Sequence, residues 1–330
     1  MLKNNMTNIK IGLIGYGYWG KNLARNLFDL KVLTRIFDNS SSSINKAKKL
    51  YPNLIFHTDI ESILNSDIEA VFISSPASTH EKIVRLALEA KKHVFVEKPL
   101  CLNYEEGIEL KKIANDNNLK LMVGHLLLYH PAFIALKKIV DSGIIGNLRY
   151  IYSNRLSLGK LRKEEDALWS FAPHDISMIL SLIGDEPINV KATGGAYLSP
   201  NIADTSLTFL SFKNNIKAHV FVSWLHPYKD QKLVVVGEKA MITFDDVEHE
   251  DKKLMIYEHK ASWNEEVPII HKAEGKPISY DKTKEPLKLE CEKFISWVQD
   301  GILPPSNVDE GLRVLKVLNL AEKSLKEENI

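Results

Sequence analysis

Two side chains in this sequence stand in settings where they could move a proton near neutral pH. Lys98 lies in Glu97-Lys98-Pro99, directly behind the apolar run Val94-Phe95-Val96, and His174 lies in Trp169-Ser170-Phe171-Ala172-Pro173-His174-Asp175. An imidazole ionises near pH ~6.5, which suits it to take a proton from a hydroxyl group. A lysine must first fall from about 10.4, through burial or a neighbouring cation; otherwise it stays charged and polarises an oxygen. Pro99 biases the residue before it towards extended backbone, which aims Lys98 out from its strand end. Asp175, or Ser170 one helical turn earlier, could orient His174. Alone, each has a plainer reading: a surface lysine closing a strand, and a histidine capping a helix that starts at Asp175.

A third chemistry is written in Ile11-Gly12-Leu13-Ile14-Gly15-Tyr16-Gly17-Tyr18-Trp19-Gly20, an apolar strand running into a glycine turn and a helical segment. Gly15 suits the tight turn, Gly17 leaves the main chain bare for a pyrophosphate, and Gly20 lets helix and strand pack closely. The phosphates then meet the helix N-terminus, where unpaired N–H groups and the dipole favour negative charge. Asp38, about twenty residues on at the end of Val32–Phe37, can hydrogen-bond a ribose 2′-hydroxyl. That favours NAD over NADP, although Asn39 and Ser40–Ser43 could tolerate a 2′-phosphate. The plainer alternative for Asp38 is a cap on the next helix.

These residues need elements to hold them. From Ile9 to Val123, short apolar strands alternate with amphipathic helical segments, which predicts right-handed crossovers and a parallel sheet. Ligands of such sheets bind beyond the carboxyl ends of the strands. The candidates there are Gly15, Gly17, Tyr18, Trp19, Gly20, Asp38, Asn39, Ser75, Pro76, His80, Glu97, Lys98 and, after the last strand, His125. Beyond Val123 the rhythm changes: a helix over Pro131–Ser142, a strand over Leu148–Leu156, a helix over Asp175–Ile183, then successive strands with short turns to His259. This predicts an α+β region with a large, mainly antiparallel sheet. Residues 263–285 give no assignment, and two helices close the chain, over Leu287–Val298 and Gly311–Leu325.

At 330 residues, two domains with sizeable cores are expected. The 43 basic and 42 acidic residues nearly cancel, so nothing in the charge points to nucleic acid or to an anionic membrane. The polar start and the lack of a long apolar run predict a cytoplasmic protein. The 2 cysteines, Cys101 and Cys291, are too few for a disulfide framework or a thiolate zinc site, and both read as plain thiols, Cys101 near enough to Lys98 to line the site. His125, His130 and His226 fit no familiar metal-ligand spacing, so no metal is expected.

The glycine turn with Trp19, Ser75-Pro76 followed by His80, Glu97-Lys98-Pro99 and His174 together resemble the glucose-fructose oxidoreductase / inositol dehydrogenase (Gfo/Idh/MocA) family, over essentially the whole chain. Gly124-His125, Tyr129-His130-Pro131, Ser153-Asn154-Arg155, Trp169–Asp175 and Trp224-Leu225-His226-Pro227 resemble its nucleotide-sugar branch. The resemblance implies a Rossmann domain over 1–124, with a parallel sheet, and an α+β domain over 125–330 with an open sheet, the helix at about 309–327 packing back on the first. It also implies a nicotinamide cofactor, a site between the domains, and a homodimer or homotetramer built on the exposed sheet face. The implied reaction is oxidation at C3 of a UDP-linked N-acetylhexosamine, UDP-GlcNAc or its uronic acid, for surface polysaccharide or lipid A type amino-sugar synthesis. A ketoreductase acting on a keto nucleotide sugar and a non-catalytic dinucleotide-binding regulator are the alternatives. Ser170 departs from the Asp that many members carry there, which leaves Asp175 or Ser170 to orient His174. For a diphosphate substrate, Arg155, Lys160 and Arg162 are the natural cations, and Tyr129, Trp169 and Tyr228 the rings to stack or pack on uracil and sugar. His125 completes the set of expected substrate contacts.

Overall fold

The computed structural model describes residues 9–159, 161–163 and 165–327. In chain order it opens with β1 (Ile11–Ile14), α1 (Gly20–Asp29), β2 (Leu33–Phe37), α2 (Ser41–Leu50), β3 (Ile55–His57), α3 (Ile60–Leu64), β4 (Ala70–Ile73), α4 (His80–Glu89), β5 (His93–Glu97), α5 (Tyr104–Asp116) and β6 (Leu121–Gly124). It continues with α6 (Pro131–Asp141), β7 (Leu148–Leu156), α7 (Ala167–Ile183), β8 (Asn189–Gly195), β9 (Thr205–Ser211), β10 (Lys217–Ser223), β11 (Asp230–Gly237), β12 (Met241–Asp245) and β13 (Leu254–Tyr257). The last elements are β14 (Lys260–Asn264), β15 (Val267–His271), β16 (Lys276–Pro277), α8 (Pro286–Asp300) and α9 (Val308–Glu327). Two compact units result. The first is the chain up to Leu126 with Glu285–Leu315; the second is Leu127–Lys284 with the chain from Lys316 onward.

The first unit is a six-stranded sheet in the order β3-β2-β1-β4-β5-β6, and every pairing in it is parallel. Its central strands read as unbroken apolar runs because helices cover both faces: all four residues of β1 and of β4 are buried. Phe72 and Phe95 stack across β4 and β5 at 4.4 Å, and Phe294 of α8 meets Phe72 edge-on at 5.1 Å. The strand order reverses between β1 and β4, so the carboxyl end of β1, where the glycine turn lies, is the switch point at which such sheets take ligands.

The second unit is built on an eight-stranded sheet in the order β16-β13-β12-β11-β7-β10-β9-β8. It is mainly antiparallel, β7 with β10 being its parallel pair. The period of two sorts its side chains: Ile151, Val220, Val222 and Leu210 are buried on the face that α7 covers, while Tyr150, Tyr152, His219 and Phe209 alternate onto the other. Those four rings contact one another at 5.4 to 5.9 Å between neighbours.

Two local structures differ from the sequence reading. The helix carrying His174 starts at Ala167, eight residues before the expected Asp175, because the Asp166 side chain caps it by accepting from Trp169 N at 2.9 Å. Pro173 lies inside this helix; its missing N–H costs one backbone bond without ending the element. His174 is therefore in mid-helix, and it is no helix cap. A hairpin of β14 with β15, overlapping the unassigned stretch 263–285, has every strand residue exposed.

Candidate functional site

The glycine turn is held from several sides. Gly15 has φ +95°, and a Cβ there would come within 2.8 Å of the Ser74 backbone. A Cβ on Gly20 would stand 2.1 Å from Gly15 O, so α1 can begin this close to β1 with no side chain between. At Gly17 nothing lies within 4 Å of an added Cβ. Its bare backbone thus answers to no packing need inside the protein, which is the condition for a pyrophosphate to approach the main chain. Asp38 closes the turn: its Oδ2 accepts from Tyr16 N at 2.6 Å and its Oδ1 from Ser40 N at 2.7 Å. It does not cap α2, a task that Ser40 performs by accepting from Ser43 N. Tyr18 and Asn39 are exposed beside the turn.

The next strand ends converge on the same edge. Ser74 Oγ donates to Gly15 O at 2.8 Å. His80 is 1% exposed, with Nδ1 2.7 Å from Pro99 O and Nε2 2.9 Å from Ser75 O, so one ring ties the Ser75-Pro76 loop after β4 to the Lys98-Pro99 end of β5. The Lys98–Pro99 peptide is cis. Glu97 accepts from Trp19 Nε1 at 2.5 Å, joining β5 to the start of α1. Enclosure by protein pushes the Glu97 carboxyl up to about 7, against the opposing pull of the Trp19 hydrogen bond and the Lys98 charge. His125, after β6, is 1% exposed, and its Nδ1 lies 2.5 Å from Glu310 Oε2 of α9. Cys101 is buried and its thiol is pushed up to about 12 by desolvation, which leaves it inert at neutral pH.

In the second unit, α7 presents Trp169, Ser170, His174 and Asp175. Ser170 and His174 are four residues apart and share a face of the helix. His174 and Asp175 are successive, about 100° apart around the axis, and their side chains diverge. Asp175 points into the core: Oδ1 accepts from Ser153 Oγ at 2.5 Å and from Arg155 Nη2 at 3.2 Å, and Oδ2 from Arg155 Nε at 2.6 Å. This corrects two expectations. Asp175 spends its oxygens on β7, not on His174, and the buried Arg155 has a carboxylate for its partner where the sequence suggested a diphosphate. Charges buried this deeply need such pairing, which is why the two residues find each other.

The other expected substrate contacts differ in exposure. Tyr129 and Trp169 are buried, Tyr228 is exposed, and Arg162 is half-exposed and paired with Glu165 at 3.0 Å. Lys160 lies outside the described residues. His130 caps α6 by accepting from Ala132 N at 3.1 Å, and His226 Nδ1 is 2.9 Å from Tyr228 O. Among the described residues no group of three His, Cys, Asp or Glu could hold a metal ion, and no helix is long and apolar enough to cross a membrane. The sequence reading missed Glu290 and Glu310, whose carboxyl groups are buried near Glu97. Both occur in otherwise amphipathic helical stretches, where an acid reads as surface.

Known proteins match this architecture. Residues 9–125 match the oxidoreductase family model with an NAD-binding Rossmann fold, and residues 133–243 match the GFO/IDH/MocA C-terminal domain. A UDP-N-acetylglucosamine 3-dehydrogenase of Acidithiobacillus ferrooxidans is 30% identical over 220 residues, 66% of this chain and 68% of that protein. A 2,7-anhydro-N-acetylneuraminate hydratase of Escherichia coli is 25% identical over 254 residues, covering 72% of this chain and 68% of the relative. The solved structure of the Acidithiobacillus enzyme superposes with a TM-score of 0.84 at 23% identity, covering 97% of this chain and 98% of that one. With residues 9–125 and 133–243 matched and the glycine turn, Glu97-Lys98-Pro99 edge and open sheet in place, the chain belongs to the Gfo/Idh/MocA family of NAD(P)-dependent oxidoreductases.

Proposed function

We propose that the protein oxidises the C3 hydroxyl of a UDP-linked N-acetylhexosamine, UDP-GlcNAc or its uronic acid, to the 3-keto sugar, with NAD as the preferred cofactor. The observation that carries the reading is the carboxyl edge of the parallel sheet, where the empty space over Gly17, the Asp38 carboxylate and Lys98 share one rim. The 30% identity to an enzyme named for UDP-N-acetylglucosamine supports the sugar. Gly15, Gly17 and Gly20 with the N-terminus of α1 would hold the pyrophosphate, and Asp38 the ribose, with Ser75, Pro76 and His80 shaping the rim. When bound, the dinucleotide supplies the hydride acceptor.

His174 takes the hydroxyl proton and Lys98 polarises the same oxygen, so charge that develops on it is met as it forms. Ser170, on the His174 face of α7, orients the ring, while Asp175 and Arg155 fix the helix on its sheet. Arg162 and Lys160 are left as cations for the diphosphate, and Trp169 and Tyr129 as walls for the base or sugar. The Tyr150, Tyr152, Phe209 and His219 face of the second sheet, where Phe209 is exposed and the other three rings are partly exposed, supports a homodimer or homotetramer, since exposed aromatic surface favours association.

The test is nicotinamide reduction followed by its near-ultraviolet absorbance, with a ketone trap present, offering UDP-GlcNAc, its uronic acid and free N-acetylglucosamine in turn. Signal with a UDP sugar alone is the expected result, and Lys98→Met should abolish it while dinucleotide binding changes little. Turnover of the free sugar at equal efficiency, or an active Lys98→Met enzyme, would overturn the reading.

A further inference from the structure

Beside Lys98 begins a set of ionisable groups that the proposed chemistry does not use: the partly exposed Glu97 and the buried His125, Glu290 and Glu310. Glu97, next to Lys98, pairs across β5 and β6 with Gly124, and the residue after Gly124 is His125. Glu310 stands in the first turn of α9, its backbone N–H 3.3 Å from the capping Asn307 Oδ1, and its Oε2 is 2.5 Å from His125 Nδ1. At 7% exposure for Glu310 and 1% for His125, water does not screen this contact. His125 is also close enough to Glu97 for its charge to oppose the rise of the Glu97 carboxyl.

A fourth member, Glu290 of α8, faces Glu97 and Glu310; burial first, then those two like charges, push its carboxyl well above the usual range. Both Glu290 oxygens are buried without a hydrogen-bond partner among the described residues. One imidazole cannot balance this many carboxylates, so Glu97 and Glu290 keep protons that exposed acids would have lost. The ionised share then depends on where His125 is held, and Glu310 holds it.

We propose that Glu310 is a positioning residue for the reaction: by fixing His125 through Nδ1 it keeps Glu97 as the anionic neighbour of Lys98, and so governs the charge of the Lys98 amine. This rests on the reading of Lys98 as the group that acts on the substrate oxygen. The sequence separates the three links by long stretches, 97 to 125 to 310, and only the fold makes them one path. Removing the Glu310 charge frees His125 from its place beside Glu97, so Glu97 takes a proton more readily and the negative charge beside Lys98 weakens. Its amine should then lose a proton at lower pH.

The experiment compares unaltered protein with Glu310→Gln by competitive acetylation, with the extent of labelling at Lys98 read by peptide mass spectrometry across pH 6 to 11. The exposed Lys191 serves as internal control. Expected is a fall of about half a pH unit or more in the Lys98 midpoint, roughly threefold faster labelling near neutrality, with Lys191 unmoved. In turnover of the UDP sugar, kcat and its pH profile should move while KM changes by less than about twofold. An unmoved Lys98 midpoint in a folded Glu310→Gln protein overturns the proposal, as does a loss confined to KM. Should that variant not fold, nitrogen-15 spectra of the unaltered protein decide: His125 carrying its hydrogen on Nδ1 supports the clamp, and on Nε2 alone refutes it. A shifted midpoint in a protein that turns over no nucleotide sugar would keep the clamp and remove only the reaction.

Discussion

Gly17 and Gly20 make opposite demands although they are three residues apart. An alanine methyl at Gly20 would sit 2.1 Å from Gly15 O, a contact that only a backbone shift relieves. Gly20→Ala should therefore destabilise the first unit by several kcal/mol, about 1–3 or more by the usual cost of overpacking, visible as a lowered Tm. Gly17→Ala meets no protein atom within 4 Å and should leave Tm unchanged. It should instead weaken dinucleotide binding about tenfold or more, measured by fluorescence titration, because the methyl occupies the approach of the pyrophosphate. Equal effects of the two changes on Tm would contradict the geometry. The glycine spacing alone does not separate the two positions; the distances show that Gly20 is required by packing inside the protein and that Gly17 is not.

The helix α7 shows how an element is held by charges that its own sequence cannot pair. Asp175 is neutralised by Arg155 of β7, and Ser153 satisfies one oxygen further. Truncating one partner strands the other in the core, which typically costs about 3–5 kcal/mol. Asp175→Asn and Arg155→Met should each lower stability by that order in chemical denaturation. The double variant, with no stranded charge, should recover a large part of the loss. Additive losses would mean that the pair is not coupled. Since His174 follows α7 wherever the helix goes, the single variants should also lower kcat. The sequence reading begins this helix at Asp175, whereas it starts eight residues earlier under the cap of the Asp166 side chain and runs through Pro173.

Across the whole molecule, acids with raised ionisation set how stability responds to pH. Glu97 is pushed from 4.5 up to about 7, Asp166 from 3.8 up to about 6, each mainly by burial, and Glu290 is raised as well. The folded chain binds these protons more tightly than the unfolded chain does. Their contribution is therefore fully present below the unfolded values and is lost as pH climbs through the folded ones, from about 4 to 7. Tm should fall between pH 5 and pH 8. Glu290→Gln, which cannot ionise, should flatten that fall, gaining stability at pH 8 relative to the unaltered protein while gaining little at pH 5. A variant whose Tm tracks the unaltered protein at every pH would show that Glu290 does not titrate in this window.

The sequence by itself determined the features that depend on local pattern. Apolar runs of strand length between amphipathic helices set the parallel sheet, glycine spacing set the nucleotide turn, and the period of two set which faces of β7, β9 and β10 are buried. Lys98 and His174 stood out only through motifs that resemble the family, since alone they read as a surface lysine and a helix cap. Tertiary structure alone decided the partners of charges. A carboxylate has the same local signature whether water or a distant cation solvates it, so nothing along the chain distinguishes Glu290 and Glu310 from surface acids, or tells which partners Asp175 and Glu97 meet. Their desolvation, and the pairing it compels between residues as far apart as His125 and Glu310, exist only once the elements have packed.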